Sequence, residues 1–173
     1  STTHAALRAE IGWHSIKARF DQVKLRYWRN LVTMDDSRLT KHMYSVDRKA
    51  VLNGSGWGRS WCENIRLILS EYGFDESFWR EEKCKDLSQG EWKLLVAKHV
   101  SKVDEKACFD DIKSMPKLRS FKNIKHKFCI EDFMKIPGFK KGKALCLAFR
   151  NGTNNLRIDI GRRSGETPDQ RVC

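Results

Sequence analysis

Apolar residues recur along most of this chain at the three- and four-residue steps of a helix rather than the two-residue step of a strand. Between His14 and Met34, the residues Ile16, Phe20, Val23, Tyr27, Leu31 and Met34 fall on one helical face. A second, shorter stripe of Leu25, Trp28 and Val32 lies about half a turn away, so this helix is expected to be covered on two sides and central to the fold. Lys17 and Lys24 occupy one gap between the stripes and Arg19, Arg26 and Arg29 the other, where long side chains cover apolar surface and still reach water.

Caps and breakers mark the next elements. Leu39, Met43, Val46 and Ala50 predict a helix ending near Asn53-Gly54. Ser60-Trp61-Cys62-Glu63 has capping-box spacing and opens a helix carrying Trp61, Ile65, Ile68, Leu69 and Tyr72, which Gly73 closes. After Phe78 and Trp79, Ser88-Gln89-Gly90-Glu91 offers a second box ahead of Trp92, Leu95, Val96, His99, Val100 and Val103. His99 reads as a hydrogen-bonded core histidine. Beyond Met115-Pro116, Leu118, Phe121, Ile124 and Phe128 are interleaved with Lys117, Arg119, Lys122, Lys125 and Lys127, as in a helix that packs one side and offers the other to phosphates. Ile136-Pro137-Gly138 turns, Ala144 to Arg150 predicts a short helix ending at Asn151-Gly152, and Leu156, Ile158 and Ile160 alternate with Arg157 and Asp159 as a short extended segment. The fold class is therefore all-α, a multi-helix globular bundle with a short extended C-terminal segment. Its organisation is a helical core over 1–112 around the helix 14–34, then a basic helical and extended part over 113–173, in one continuous domain.

At 173 residues the chain is long enough to bury a core without disulfides. Six cysteines at wide spacing, with no signal peptide ahead of them, predict reduced thiols that serve as small core residues in the cytosol or nucleus. No apolar run is long enough to span a membrane. The formal charge of +12 is uneven: 113–173 carries 15 basic and 5 acidic residues, whereas 75–112 carries 7 and 10. A field concentrated on the last third points to a polyanion, most commonly nucleic acid, with a solubilising surface as the alternative.

Several motifs carry less than they suggest. Asp35-Asp36 resembles the paired carboxylates of a polymerase metal site but follows a long helix, so it reads as a helix end and new cap. Gly54-Ser55-Gly56-Trp57-Gly58-Arg59-Ser60 lacks the Gly-Lys-Ser ending of a phosphate loop and reads as a loop between helices. His126-x-x-Cys129 has half of a zinc spacing and reads as packing. The pairs Glu81-Glu82, Asp104-Glu105 and Asp110-Asp111 read as solvated helix faces. No nucleophilic serine elbow is present.

Four stretches carry a resemblance. They are Ala5-Ala6-Leu7-Arg8-Ala9-Glu10-Ile11-Gly12, the aromatic helix Leu25-Arg26-Tyr27-Trp28-Arg29-Asn30-Leu31, Trp61-Cys62-Glu63-Asn64-Ile65 running to Tyr72-Gly73-Phe74, and Asn155-Leu156-Arg157-Ile158-Asp159-Ile160-Gly161-Arg162 followed by Arg171-Val172-Cys173. Through them nearly the whole chain resembles the segment that follows the polymerase in endonuclease/reverse-transcriptase polyproteins of non-long-terminal-repeat retrotransposons. In that family the last stretch leads into a Cys/His zinc knuckle, of which Cys173 would be the first ligand. Zinc would then bind only with ligands beyond Cys173, and the chain would be a piece of a longer protein. Asn154 and Asn155 stand where small hydroxyl residues are common, and Asp159-Ile160 where Glu-Thr is common.

The resemblance implies an accessory module of a reverse transcriptase, not an enzyme in its own right. Such a module would hold template RNA or target DNA beside the parent polymerase, its partner in the cytoplasm and nucleus, with no cofactor of its own. The expected phosphate contacts are Lys122, Lys125, Lys127, Lys140, Lys141, Lys143, Arg150, Arg157, Arg162 and Arg163, positioning the backbone rather than reading bases. The rival readings are a helical protein-interaction scaffold with a basic surface and, least supported, an enzyme using Asp35 and Asp36.

Overall fold

A computed structural model describes residues 3–54, 60–153, 160–161 and 164–167. In chain order the elements are α1 (His4–Ile11), α2 (Ile16–Val32), α3 (Leu39–Leu52), α4 (Trp61–Glu71), the short α5 (Glu76–Trp79) and α6 (Glu82–Asp86), the long α7 (Gln89–Ser114), a 3-10 turn over Pro116–Leu118, α8 (Arg119–Ile124), the short α9 (Asp132–Lys135) and α10 (Lys140–Arg150). The described residues contain no strand; one isolated antiparallel bridge joins Ile11 to Ile130. The all-α class is the one expected. The extended segment expected at 156–160 lies almost entirely outside the described residues.

The chain divides into two compact units, Ser15–Asp104 and a second made of Ser1–His14 with Glu105–Cys173. The boundary between them falls inside α7, and the N-terminal helix belongs with the C-terminal part. Its physical basis is a small-residue face: Ala5, Ala6 and Ala9 of α1 are buried against Cys108, Ile112, Leu118 and Phe121, and the Cys108 thiol donates to the Ala5 carbonyl at 3.3 Å.

In the unit Ser15–Asp104 the core is built on Leu25, Trp28, Leu31 and Val32 of α2, Cys62, Ile65, Ile68 and Leu69 of α4, and Trp92, Val96 and Val100 of α7. Burying each such large side chain contributes about 1.5–3 kcal/mol. The indole nitrogens find acceptors inside: Trp92 donates to the Leu25 carbonyl and Trp28 to the Tyr44 hydroxyl, both at 3.1 Å. Tyr44 in turn donates to Glu81 at 2.6 Å, and Arg48 pairs with the same carboxylate at 3.0 Å. His99 is half-buried, stacked on Phe74 at 4.3 Å with Nδ1 3.0 Å from the Tyr72 carbonyl, as a core histidine should be.

The caps follow the sequence. Ser88 and Glu91 cap each other's backbone at 3.2 and 2.8 Å, Ser60 accepts from the Glu63 amide at 3.0 Å, and Gly73, at φ 73°, ends the α4 segment. Four expectations need correcting. The α2 stripe expected to anchor the fold is turned outward over most of its length: Ile16, Phe20, Val23 and Tyr27 are exposed, and Leu31 alone of that helical face is buried. The core takes the opposite side instead, because Trp28 and Leu25 offer more continuous area with Ala18 and Val32 beside them. On α3, likewise, Leu39, Met43 and Val46 are exposed while Lys41 and Tyr44 point inward. Glu81 and Asp104 are not solvated but buried: Glu81 accepts from Tyr44 and forms an ion pair with Arg48, and Asp104 accepts from the Ser15 amide and hydroxyl at 3.0 and 2.6 Å. Finally, Cys62, Cys84 and Cys108 are core residues as expected, but Cys129 is exposed and Cys146 half-buried.

Candidate nucleic-acid interface

The C-terminal part of α7 presents Lys106, Phe109, Asp110, Ile112 and Lys113 toward one side. Residues 106 and 113 are seven apart, nearly two whole turns, so their side chains leave the helix in almost the same direction. Pro116 ends α7, the 3-10 turn reverses the chain, and α8 returns with Lys122, Lys125 and His126 at and just beyond its end. These eight residues line an open cleft of about 440 Å³. Phe109 and Ile112 give it an apolar part. Among the described residues four lysines and a histidine line it with one carboxylate, Asp110, which pairs with Lys113 at 3.6 Å.

Two lysines of the cleft have structural partners. The Lys122 ammonium donates to the Lys113 carbonyl, one of the last carbonyls of α7 that the helix itself cannot satisfy. It therefore sits at the negative end of the helix dipole, held in place and half-exposed. Lys125 is buried: its ammonium donates to the Cys129 carbonyl at 2.7 Å and pairs with Glu131. Its charge is spent inside the fold, so the expectation that it meets a phosphate is corrected.

Arg150 turns inward as well. Its Nε donates to Glu10, a fully buried carboxylate, Glu131 lies 3.8 Å from Nη2, and the guanidinium lies over the rings of Phe121 and Phe133. Burial raises the Glu10 carboxyl above its ordinary range, an effect the hydrogen bond and charge of Arg150 oppose. The buried group is there to organise the unit, and Arg150 is not a surface cation.

Lys127 is exposed just beyond the cleft. Lys140 and Lys141 are exposed and Lys143 half-exposed in the first turn of α10, which holds no acidic residue and whose N-cap, Phe139, supplies no side-chain acceptor. Three cations at the positive end of a helix work against the dipole there and concentrate an electropositive field. Arg157, Arg162, Arg163 and Cys173 lie outside the described residues, as do residues 55–59 of the glycine-rich stretch. Lys106 and Lys113 were missed by sequence reasoning, which followed local charge density; their seven-residue spacing on a long helix was the available signal.

His126 and Cys129 are both exposed, so the packing expected of them is not found. Among the described residues no group of three or more His, Cys, Asp or Glu is placed to hold a metal ion, and no helix is long and apolar enough to cross a membrane. Asp35 accepts from the Ser37 amide at 2.9 Å and from its hydroxyl in the turn between α2 and α3, and these bonds hold its carboxyl below the ordinary range. Comparison with protein-family models, with curated proteins and with solved structures finds no match to this chain.

Proposed function

We propose that this chain is an accessory nucleic-acid-binding module of a retrotransposon reverse transcriptase, holding template RNA or target DNA by its phosphates and performing no catalysis itself. The observation that supports it best is the cleft lined by Lys106, Lys113 and Lys122 together with the apolar Phe109 and Ile112 and, among the described residues, one carboxylate. Ammonium groups on flexible stems suit phosphodiester oxygens as point charges, and among the described residues of the cleft there is no Arg, Asn or Gln to offer the planar, bidentate donors that read base edges. Lys127 and the first turn of α10 extend the set of cations available to a backbone.

A salt titration tests this. If about five phosphates are neutralised, the logarithm of affinity for a labelled RNA hairpin or DNA duplex falls against log salt with a slope near −4.5 for the duplex. Lys106→Gln, Lys113→Gln and Lys122→Gln together should reduce that slope by about 2.7. Absence of binding at low salt would overturn the reading and leave a helical interaction scaffold in its place.

A further inference from the structure

The outward stripe of α2 has the geometry of a coiled-coil seam. Ile16, Phe20, Val23 and Tyr27 follow steps of four, three and four, which are alternating d and a positions of a heptad. They span only about 60° of the helix circumference, far narrower than the face a helix buries in a globular core. Their exposures are 72%, 63%, 59% and 48%. Single exposed apolar residues are ordinary, but four contiguous ones at seam spacing mark a contact surface. The opposite side of α2, with Ala18, Leu25, Trp28 and Val32, is already occupied by the core. The far end of the seam is held in place, since the Tyr27 ring meets the edge of Trp61 at 5.9 Å.

The flanks choose the occupant. With these a and d assignments, the e and g positions are Lys17, Lys24, Arg19 and Arg26, all basic. Asp21 lies 3.2 Å from Lys17 and 3.4 Å from Lys24, and Glu71 pairs with Lys17. The e and g positions themselves hold four basic side chains and no acidic one. A second copy of this chain would set basic e and g positions against basic ones whether the helices ran parallel or antiparallel, which is repulsive in both cases. A bilayer would need a wider apolar face than a strip bounded closely by Lys and Arg on both sides.

We propose that the α2 seam docks one α-helix of a partner protein that carries apolar residues at its own a and d positions and glutamate or aspartate at e and g. The seam lies wholly in the unit Ser15–Asp104 and is independent of the basic cleft.

The test uses the whole chain and a synthetic three-heptad helical peptide with Leu at a and d and Glu at e and g, against the same peptide with Lys at e and g. The Glu peptide should bind and the Lys peptide should not. Phe20→Ser with Val23→Ser should abolish binding while leaving helicity and melting intact, because both side chains are exposed. Arg19→Glu with Arg26→Glu should weaken the Glu peptide by about tenfold and admit the Lys peptide. Lys106→Gln with Lys113→Gln and Lys122→Gln should leave peptide binding unchanged, separating this surface from the polyanion cleft. The proposal is overturned if the Glu peptide fails to bind or if its binding ignores Phe20→Ser with Val23→Ser. It is equally overturned if those substitutions instead dissolve a dimer seen in sedimentation, or remove binding to phosphatidylcholine/phosphatidylserine vesicles that the peptide does not compete for.

Discussion

Arg150 places its guanidinium Nε on a carboxylate oxygen of Glu10, 140 positions earlier in the chain, and so ties the end of α10 to α1 through a buried charge pair. The pair is incompletely satisfied: among the described residues Glu10 Oε2 and Arg150 Nη2 lack a hydrogen-bond partner. Burial outweighs the hydrogen bond and charge of Arg150 in setting the Glu10 carboxyl above its usual range.

The sign of the resulting pH dependence follows. Over the interval between the unfolded and the raised folded value, the native chain holds a proton that the unfolded chain has released, so this group's contribution to stability is fullest below the unfolded value, about 4.3, and is lost as pH rises through the folded one. Glu10→Gln removes this slope and keeps an acceptor for Arg150. Urea midpoints measured at about pH 4 and about pH 7 should show the variant gaining on the native chain as pH rises; a difference independent of pH would contradict this. Arg150→Met leaves Glu10 buried without its main partner and should cost about 3–5 kcal/mol.

Lysines separate into structural and binding classes. Lys125→Met removes the donor to the Cys129 carbonyl and the partner of Glu131, and should cost about 3 kcal/mol while the salt slope of polyanion binding stays as it was. Lys113→Gln with Lys122→Gln should change stability by less than about 1 kcal/mol and reduce the slope by about 1.8. Equal stability losses in the two cases would remove the distinction.

Gly12 sits at φ 64° with a Cβ position only 3.0 Å from the Cys129 Cα and 3.2 Å from the Ile130 nitrogen. Gly12→Ala therefore combines left-handed strain with a backbone clash beside the Ile11–Ile130 bridge and should cost on the order of 3 kcal/mol. Gly73, at φ 73° with open space around it, isolates the strain alone, and Gly73→Ala should cost about 1–2 kcal/mol. Thermal denaturation of the two variants checks the difference.

Tyr44→Phe leaves the buried Trp28 Nε1–H without its acceptor and withdraws a donor from Glu81. A loss of about 1–3 kcal/mol is expected, seen as a lower urea midpoint at an unchanged m-value. An unaltered midpoint would mean that the hydroxyl is dispensable.

Thiol labelling should divide the cysteines by burial. In a Cys173→Ser background, Cys129 and Cys146 should react in the native protein, whereas Cys62, Cys84 and Cys108 should wait for unfolding. Burial raises the Cys62 thiol and pushes Cys84 up to about 12, so little thiolate is present at neutral pH.

Helices, their caps and their ends were legible because the signals are local: the Ser88/Glu91 box, Gly73 and the run to Asn151 act within one or two turns. The candidate site was legible in part. Local charge density led to Lys122, Lys127 and the lysines of α10, but it also drew in Lys125 and Arg150, whose carboxylate partners Glu131 and Glu10 become neighbours through folding.

A hydrophobic period states that a helix has an apolar side without stating which of two apolar sides will be covered. On α2 that choice depends on what α4 and α7 bring against it, and their tryptophan, leucine and isoleucine side chains cover Leu25 and Trp28, leaving Ile16, Phe20, Val23 and Tyr27 facing solvent. Charge follows the same rule. Composition establishes that the last third of the chain is basic, but a cation becomes a surface ligand or a buried strut according to whether packing brings a carboxylate within reach, and for Arg150 that carboxylate, Glu10, lies 140 positions away in sequence.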